Sequence, residues 1–251
     1  MKGVIIAGGD GTRLQPVTLT TNKHLLCVYN KPVIYYGIEK LVEAGIDKIM
    51  VVTSPYYVDS FVKLLGSGQN FIAKRKNFAT TNKRWAQVQI VYAIQNRPLG
   101  IANALYLAKD YVGQDNCALY LGDNIFEDDV SVHIRNFKDG ALIFLKKVAD
   151  PARFGVATIG VGGAVLEIEE KPSRPKSNLA VTGLYLYDHS VFNKMLEQKA
   201  SVRGEYEITY INNKYLAEGK LKSVTLKKKW FDIGTFDSLL DASVYAKSRK
   251  L

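Results

Sequence analysis

The chain has 251 residues, 47% hydrophobic and 23% charged, with seven prolines and no low-complexity run; this is a globular composition, long enough for one large α/β domain. No stretch approaches the roughly 18 apolar residues of a membrane helix, and the opening apolar run of about five residues is too short for a signal peptide. The net charge of +10 points to an anionic partner, while two distant cysteines (Cys27, Cys117) and three scattered histidines (His24, His133, His189) suggest reduced thiols in a cytoplasmic protein and no zinc-type cluster.

In chain order, KGVIIA (2–7) reads as a buried strand that runs into a glycine-rich loop, GGDGTRLQP (8–16). PVIYYGIEKLVEAG (32–45) places Ile34, Ile38, Leu41 and Val42 at helical spacing and stops on a glycine. IMVVTS (49–54) is a second strand and YYVDSFVKLLG (56–66) a second helix. QVQIVYAI (87–94) is a third strand, LGIANALYLAKDYVG (99–113) a third helix, and CALYLGD (117–123) a fourth strand that ends on a carboxylate. From about residue 140 the pieces ALIFLKKV, FGVATIGVGGAVLEIEEKP and AVTGLYLYD are strand-like and joined by turns. Helical patterns return at 189–198 and 207–218, then a strand near 221–226 and a closing helix over about 236–248. The pattern predicts an α/β fold: a Rossmann-like, mostly parallel mixed sheet, helices on both faces, and a small antiparallel excursion. No linker or composition break divides the chain, so one domain over 1–251 is expected, with parts at about 1–139, 140–235 and 236–251.

Half of the excess positive charge sits in IAKRKNFATTNKRW (72–85), as Lys74, Arg75, Lys76, Lys83 and Arg84 with no acid among them. A solvated surface segment is the simplest account. A nucleic-acid partner finds no support in aromatic stacking motifs of the RNA-recognition kind.

The glycine loop fails two familiar phosphate motifs. The P-loop needs a Gly-Lys-Ser/Thr that is missing here, and the dinucleotide pattern is broken because Leu14 stands at its sixth position and Pro16 follows. What remains is a loop at a strand end that offers backbone N–H groups to an anion, with Arg13 beside them and Lys23 ten residues later. By itself the stretch is equally compatible with a tight turn carrying a surface arginine.

Two carboxylates narrow the choice. Asp123, in YLGDN, lies at a strand end, where an α/β sheet exposes its ligand crevice. Asp232, in WFDIGT, precedes a glycine and the final helix. No Ser/His or Cys/His pairing supports triad chemistry. The two aspartates suit Mg²⁺ held against phosphates, because that ion prefers oxygen and usually takes one or two carboxylates. Taken singly, each is also an ordinary cap or turn aspartate.

MKGVIIAGGDGTRLQPVTLTTNKHLL resembles the opening signature of the sugar-nucleotide pyrophosphorylases, a branch of the nucleotidyltransferase superfamily. YNKPVIYYGIEKLVEAGI, YLGDNIF, RFGVATI, EEKPSRPKSNLAVTGLYLYD, RGEYEIT and WFDIGT follow in that family's order and spacing, so the likeness covers the chain apart from 72–85. The resemblance implies that a sugar 1-phosphate attacks the α-phosphorus of a nucleoside triphosphate in line, giving a nucleoside diphosphate sugar and pyrophosphate without a covalent enzyme intermediate. It implies dTTP as donor, with UTP as the alternative, glucose 1-phosphate as acceptor, Mg²⁺ as cofactor, and a homo-oligomer without membrane or nucleic-acid partners.

The resemblance also assigns roles. Residues up to about 139 form the nucleotide-binding part: Gly8, Gly9, Gly11 and Thr12 wrap the triphosphate, Arg13 lies on the phosphates, and Lys23 bridges phosphates of both substrates. Gln95 pairs with the pyrimidine edge, with the Gly100 backbone nearby. Asp123 and Asp232 hold the metal. In the sugar-binding part, to about 235, Gly155 lets the sugar approach the backbone, Val181 lies alongside, Glu170 grips hydroxyls, and Lys171 and Arg203 hold the sugar phosphate. Four letters depart from the usual pattern and bear on base and sugar preference: Asp10 for a smaller polar residue, His24 and Asn103 each for a glutamine, and Phe154 for a tyrosine. The chain ends about where its last helix does, whereas long relatives continue into a helical tail, so no feedback site built on such a tail is expected. A catalytically silent subunit is disfavoured because both metal carboxylates and Lys171 are present.

Overall fold

A computed structural model describes residues 1–73 and 86–249. The five cations singled out between Lys74 and Arg84 lie outside the described residues. The parallel part of the sheet consists of β1 (Lys2–Ala7), β2 (Lys48–Thr53), β3 (Gln89–Ile94) and β4 (Cys117–Leu121). β1 lies between β2 and β4, with Ile5 opposite both Val51 and Tyr120, and β3 pairs in parallel along β2.

Successive strand residues face opposite sides, so these uninterrupted apolar strands feed two cores. On one face Val4, Val52 and Leu119 pack with Ala104 and Leu105 of α3 (Ile101–Tyr106) and Ile211 of α7 (Ile208–Ala217). On the other, Ile5, Val51 and Tyr120 pack with Ile34, Ile38 and Leu41 of α1 (Val33–Glu43), Phe61 of α2 (Val58–Leu65) and Ile134 of α5 (Ser131–Asn136). Gly37 lets α1 lie against the sheet, since a Cβ there would stand 2.7 Å from the Tyr120 ring.

The antiparallel excursion expected after residue 140 is built onto the same sheet. β6 (Ala141–Lys147), β7 (Gly155–Ile159), β8 (Val165–Glu170), β9 (Leu179–Tyr187) and β10 (Leu221–Thr225) join the same sheet, which has nine strands among the described residues. The link is β9, which is antiparallel to β4 from Leu184 to Tyr187, to β6 along its length, and to β7 at Ala180. The antiparallel texture read from the sequence is present, but its strands extend the nucleotide-side sheet.

Two helical expectations change. The helix expected over 99–113 breaks after Tyr106, where the Ala108 N–H donates to Leu105 O at 2.9 Å in a tighter turn, and resumes as α4 (Lys109–Val112). Ala104 and Leu105 before the break and Ala108 and Val112 after it are all buried. The helix expected over 189–198 shrinks to α6 (Val191–Lys194), because the Asp188 carboxylate accepts from the Ser190 N–H and hydroxyl and from the Gly140 N–H, fixing a turn there. The last helix, α8 (Phe236–Arg249), packs Ala242 and Ala246 against Val28, Val33 and Ile233.

A two-residue pairing, Ile72–Ala73 with Ala86–Gln87, stands at the start of β3, the end remote from Gln95. Of most consequence is a pair of three-residue strands that the sequence reading missed, β5 (Asn124–Phe126) and β11 (Trp230–Asp232). They are antiparallel and set Asp232 directly opposite Asn124. Cys27 and Cys117 are free thiols, and no helix among the described residues is long and apolar enough to cross a membrane.

Candidate active site

Gly8, Ser54, Gln95 and Asp123 each follow the carboxyl end of a parallel strand, so they share one edge of the sheet. From Gly8 the chain folds back through short 3₁₀ turns, at Thr12–Leu14, Val17–Leu19 and Lys23–Leu25. Gly11 adopts φ 63°, and a Cβ on it would lie 3.0 Å from Thr18, whose hydroxyl donates to Gly11 O at 2.8 Å. The Lys23 side chain runs against Gly9, where a Cβ would stand 3.3 Å from its Cε. Thr12 and Arg13 are exposed, free to meet a ligand.

Lys23 forms an ion pair with Asp123, the two side chains 15% and 11% exposed. Burial works against the Lys23 charge, but Asp123 outweighs it and raises the ammonium above its ordinary value. Burial likewise opposes ionisation of Asp123, yet Lys23 and hydrogen bonds from Lys23 and Asn124 hold it down at about 2. His24, one of the four departures, is buried: its N–H and Nδ1 both meet Asn22 Oδ1, at 2.9 and 2.6 Å, and Asn22 donates to Ala7 O. Burial first, then the Lys23 charge, push it down to about 3, so the imidazole is neutral and braces the Lys23 turn.

Asp232 reaches this cluster through the β5–β11 pair, with the Ile233 N–H donating to Asp123 O at 2.8 Å. Burial first and the neighbouring Asp123 charge raise its carboxyl to about 6, with Lys23, Arg13 and Arg153 pulling the other way. Arg13 passes over Gly234, where a Cβ would stand 2.6 Å from its guanidinium and 3.3 Å from Asp232 Oδ2. A buried and a half-buried carboxylate that resist sharing negative charge suit a hard divalent cation bound between protein oxygens and phosphates.

At the end of β3, Gln95 is 7% exposed and its Nε2 donates to Asn103 Oδ1 at 2.8 Å and to Gly100 O at 3.3 Å. A Cβ on Gly8 would lie 3.4 Å from Gln95 Oε1 and 3.6 Å from the Ser54 backbone N; the Ser54 hydroxyl is buried without a partner. At the end of β8, Glu170 accepts from the Thr209 hydroxyl at 2.5 Å and lies 3.7 Å from Arg203, which also meets Glu205 at 2.8 Å and Glu207 at 3.2 Å. A Cβ on Gly155 would press on Thr209 at 3.2 Å and on Glu170 at 3.3 Å, with Val181 at 3.8 Å. Lys171 sits at φ 43°, a strained conformation for a lysine, held by its N–H bond to Phe154 O, and its side chain is exposed.

The structure thus gathers the sequence-derived residues into three groups, which the roles expected from the sequence would make a phosphate end, a base end and a sugar end. It adds residues that the sequence reading did not assign. Arg153 lies 3.8 Å from Asp232. Asn124 donates to Asp123 Oδ1 at 2.9 Å while its own Oδ1 accepts from the Gly183 N–H and the Trp230 indole. Thr209 positions Glu170, and Phe154 meets Trp230 edge to face at 5.3 Å. Asn124, Arg153 and Thr209 were within reach of the sequence as letters of YLGDNIF, RFGVATI and RGEYEIT, but nothing there showed which carboxylates they meet.

Comparison with known proteins follows this geometry. The nucleotidyl transferase family matches residues 2–249, and the chain belongs to that family. Nucleotidyl transferases of this kind generally use a divalent metal. Among its relatives, a Mycolicibacterium smegmatis protein named glucose-1-phosphate thymidylyltransferase is 43% identical, over all of this chain and 84% of its own length. A Neisseria meningitidis protein of the same name is 40% identical over 99% of this chain and 83% of its own length. A Bacillus anthracis crystal structure, described as a candidate glucose-1-phosphate thymidylyltransferase in complex with a sucrose, has 45% identity and a TM-score of 0.88, covering 98% of this chain and 95% of that one. A UDP-glucose pyrophosphorylase complexed with UDP-glucose shares the fold, with a TM-score of 0.82 at 22% identity over 99% and 98% of the two chains.

Proposed function

We propose that this enzyme joins dTTP to glucose 1-phosphate, giving dTDP-glucose and pyrophosphate, with UTP as a slower donor. The observation that carries the reading is the convergence of the Gly8–Arg13 loop, Lys23, Asp123 and Asp232 at one sheet edge, in a chain whose relatives carry that activity in their names. A phosphate oxygen of the sugar phosphate attacks the α-phosphorus; that P–O bond forms as the bond to the β-phosphate oxygen breaks, and pyrophosphate leaves. Catalysis is then positioning plus charge neutralisation on the transferring group.

In this reading the loop N–H groups of Gly8 to Thr12 cradle the triphosphate and Arg13 draws off charge building on the leaving pyrophosphate. Lys23 turns from Asp123 toward the phosphates of both substrates. Asp123 and Asp232 would hold Mg²⁺, which when bound supplies a hard positive charge that lowers repulsion between the phosphates. Arg153, already beside Asp232, adds a further cation at that end. Gln95 reads the base beside Gly100, Glu170 accepts from sugar hydroxyls, and Lys171 and Arg203 hold the sugar phosphate. Residues 1–251 act as one nucleotidyltransferase domain in a cytoplasmic homo-oligomer, which light scattering of the purified protein tests. A panel of nucleoside triphosphates against sugar 1-phosphates, followed by pyrophosphate release, tests the reaction. Fastest turnover should come with dTTP and glucose 1-phosphate, then UTP; faster turnover with ATP or GTP would sink the base assignment.

A further inference from the structure

Gln95 is held by two bonds that decide which end of its amide faces a ligand. Its Nε2 donates to Asn103 Oδ1 at 2.8 Å and to Gly100 O at 3.3 Å. A main-chain carbonyl has no proton to give, so the NH₂ end of Gln95 must be the end facing Gly100, and Asn103 must turn its oxygen toward it. Gly100 itself is clamped. It has φ 98°, and a Cβ on it would stand 2.6 Å from Tyr206 O. On either side of it, the Tyr206 N–H donates to Leu99 O at 2.7 Å and the Ala102 N–H donates to Tyr206 O at 3.1 Å. Both amide protons of Gln95 are therefore spent inside the protein. Its Oε1 is left as an acceptor beside Gly8.

We propose that Asn103 is a specificity-determining positioning residue: it latches the Gln95 amide so that the site offers the base a lone acceptor, which selects pyrimidines bearing a proton at N3. This rests on the reading of Gln95 as the base-side residue. Uracil and thymine carry N3–H; cytosine carries a lone pair there. Against Oε1, cytosine sets acceptor against acceptor, and desolvated polar groups left unpaired in this way discriminate more strongly than a change in apolar bulk. Asn103 is half-buried, so shortening it removes the latch without emptying the core.

UTP and CTP differ only at position 4 and in the N3 proton, which makes them the probe pair. The measurement is kcat/KM for each, with glucose 1-phosphate and Mg²⁺, in the wild type, Asn103→Ala and Asn103→Asp; aspartate keeps an acceptor in place. The wild type should favour UTP by at least about tenfold. Asn103→Ala should narrow that ratio roughly fivefold, the worth of one buried hydrogen bond, and Asn103→Asp should retain it. A merely structural loss would lower both nucleotides together and leave the ratio unmoved. An unchanged ratio in Asn103→Ala, or equal narrowing in Asn103→Asp, overturns the latch. A wild type that uses UTP and CTP equally overturns the latch while the transferase reading stands; a wild type that uses no pyrimidine triphosphate overturns the base-side reading together with it.

Discussion

Lys23, Asp123 and Asp232 meet on segments tied to the central sheet, whereas Arg203, Glu205 and Glu207 sit on the turn that leads into α7. At the phosphate end the ion-paired side chains are 15% and 11% exposed and Asn124 wires Asp123 to β9 and β11. At the sugar end Arg203 is 36% exposed and distributed among three carboxylates. In the proposed reaction Asp123 and Asp232 are in place before any substrate arrives and only Lys23 has to turn from its partner. The sugar end has to exchange partners, because a phosphate must displace carboxylates from Arg203. Loss at the first should fall on turnover, and loss at the second on substrate affinity.

Asp123→Asn tests this most severely. It removes a charged oxygen ligand and the partner of Lys23 together, so kcat should drop by more than about 100-fold while the fold is kept. Near-normal turnover with intact secondary structure would mean that the preorganised end is not where chemistry occurs. Arg203→Ala should instead raise KM for glucose 1-phosphate about tenfold and change kcat less, read from initial rates at saturating dTTP. A fall in kcat with KM unmoved would place Arg203 with the phosphate end and dissolve the contrast.

A smaller effect concerns pH. Burial first, then the Glu170 charge, raise the Glu207 carboxyl above its ordinary value. The unfolded chain then gives up this proton at a lower pH than the folded chain, so the residue's contribution to stability declines as pH rises from the ordinary glutamate range through the raised one. Glu207→Gln should therefore be more favourable to Tm at pH 7 than at pH 4, by about a degree or two in a chain of this size. A thermal-scan difference that is the same at both pH values, or reversed, contradicts the crowding of carboxylates around Arg203.

The smallest expected effect lies farthest away. From Gln87 to Gln95 the chain spans about 25 Å of extended strand. The point where Ala73 and Ala86 pair is thus remote from the base end and well beyond the screening length of about 8–10 Å. Replacing residues 74–85 with a short Gly/Ser link should leave the KM for dTTP nearly unchanged. A large rise in a folded, unaltered oligomer would show that the cations at 74–84 reach the site.

The same contrast explains what was legible in the sequence. KGVIIA, IMVVTS and CALYLGD announce themselves because buried parallel strands are apolar on both faces, and the residues that follow them, Gly8 and Asp123, inherit their place at the sheet edge. The β5–β11 pair could not be read this way. Each strand is three residues long, the two are more than 100 residues apart, and register is a property of the pair. Motif likeness brought Asp232 to the metal, but only the pairing explains why it lies beside Asp123. Arg153 and Thr209 stood inside the RFGVATI and RGEYEIT motifs, yet their roles stayed hidden for a related reason: a polar letter in a turn or helix says nothing of the carboxylate that it will meet. The break after Tyr106 was missed because the helical spacing of the buried Ala104, Ala108 and Val112 continues through it.

The central claim is that two carboxylates brought together by β5 and β11 hold the divalent cation that the transfer needs. It is tested most directly by titrating Mg²⁺ in the pyrophosphate-release assay with dTTP and glucose 1-phosphate, comparing the wild type with Asp232→Asn. The account predicts that excess chelator stops the wild type and that the substitution raises the Mg²⁺ concentration for half-maximal rate at least about tenfold. Wild-type turnover under chelation, or a folded Asp232→Asn variant with unaltered Mg²⁺ dependence, would contradict it.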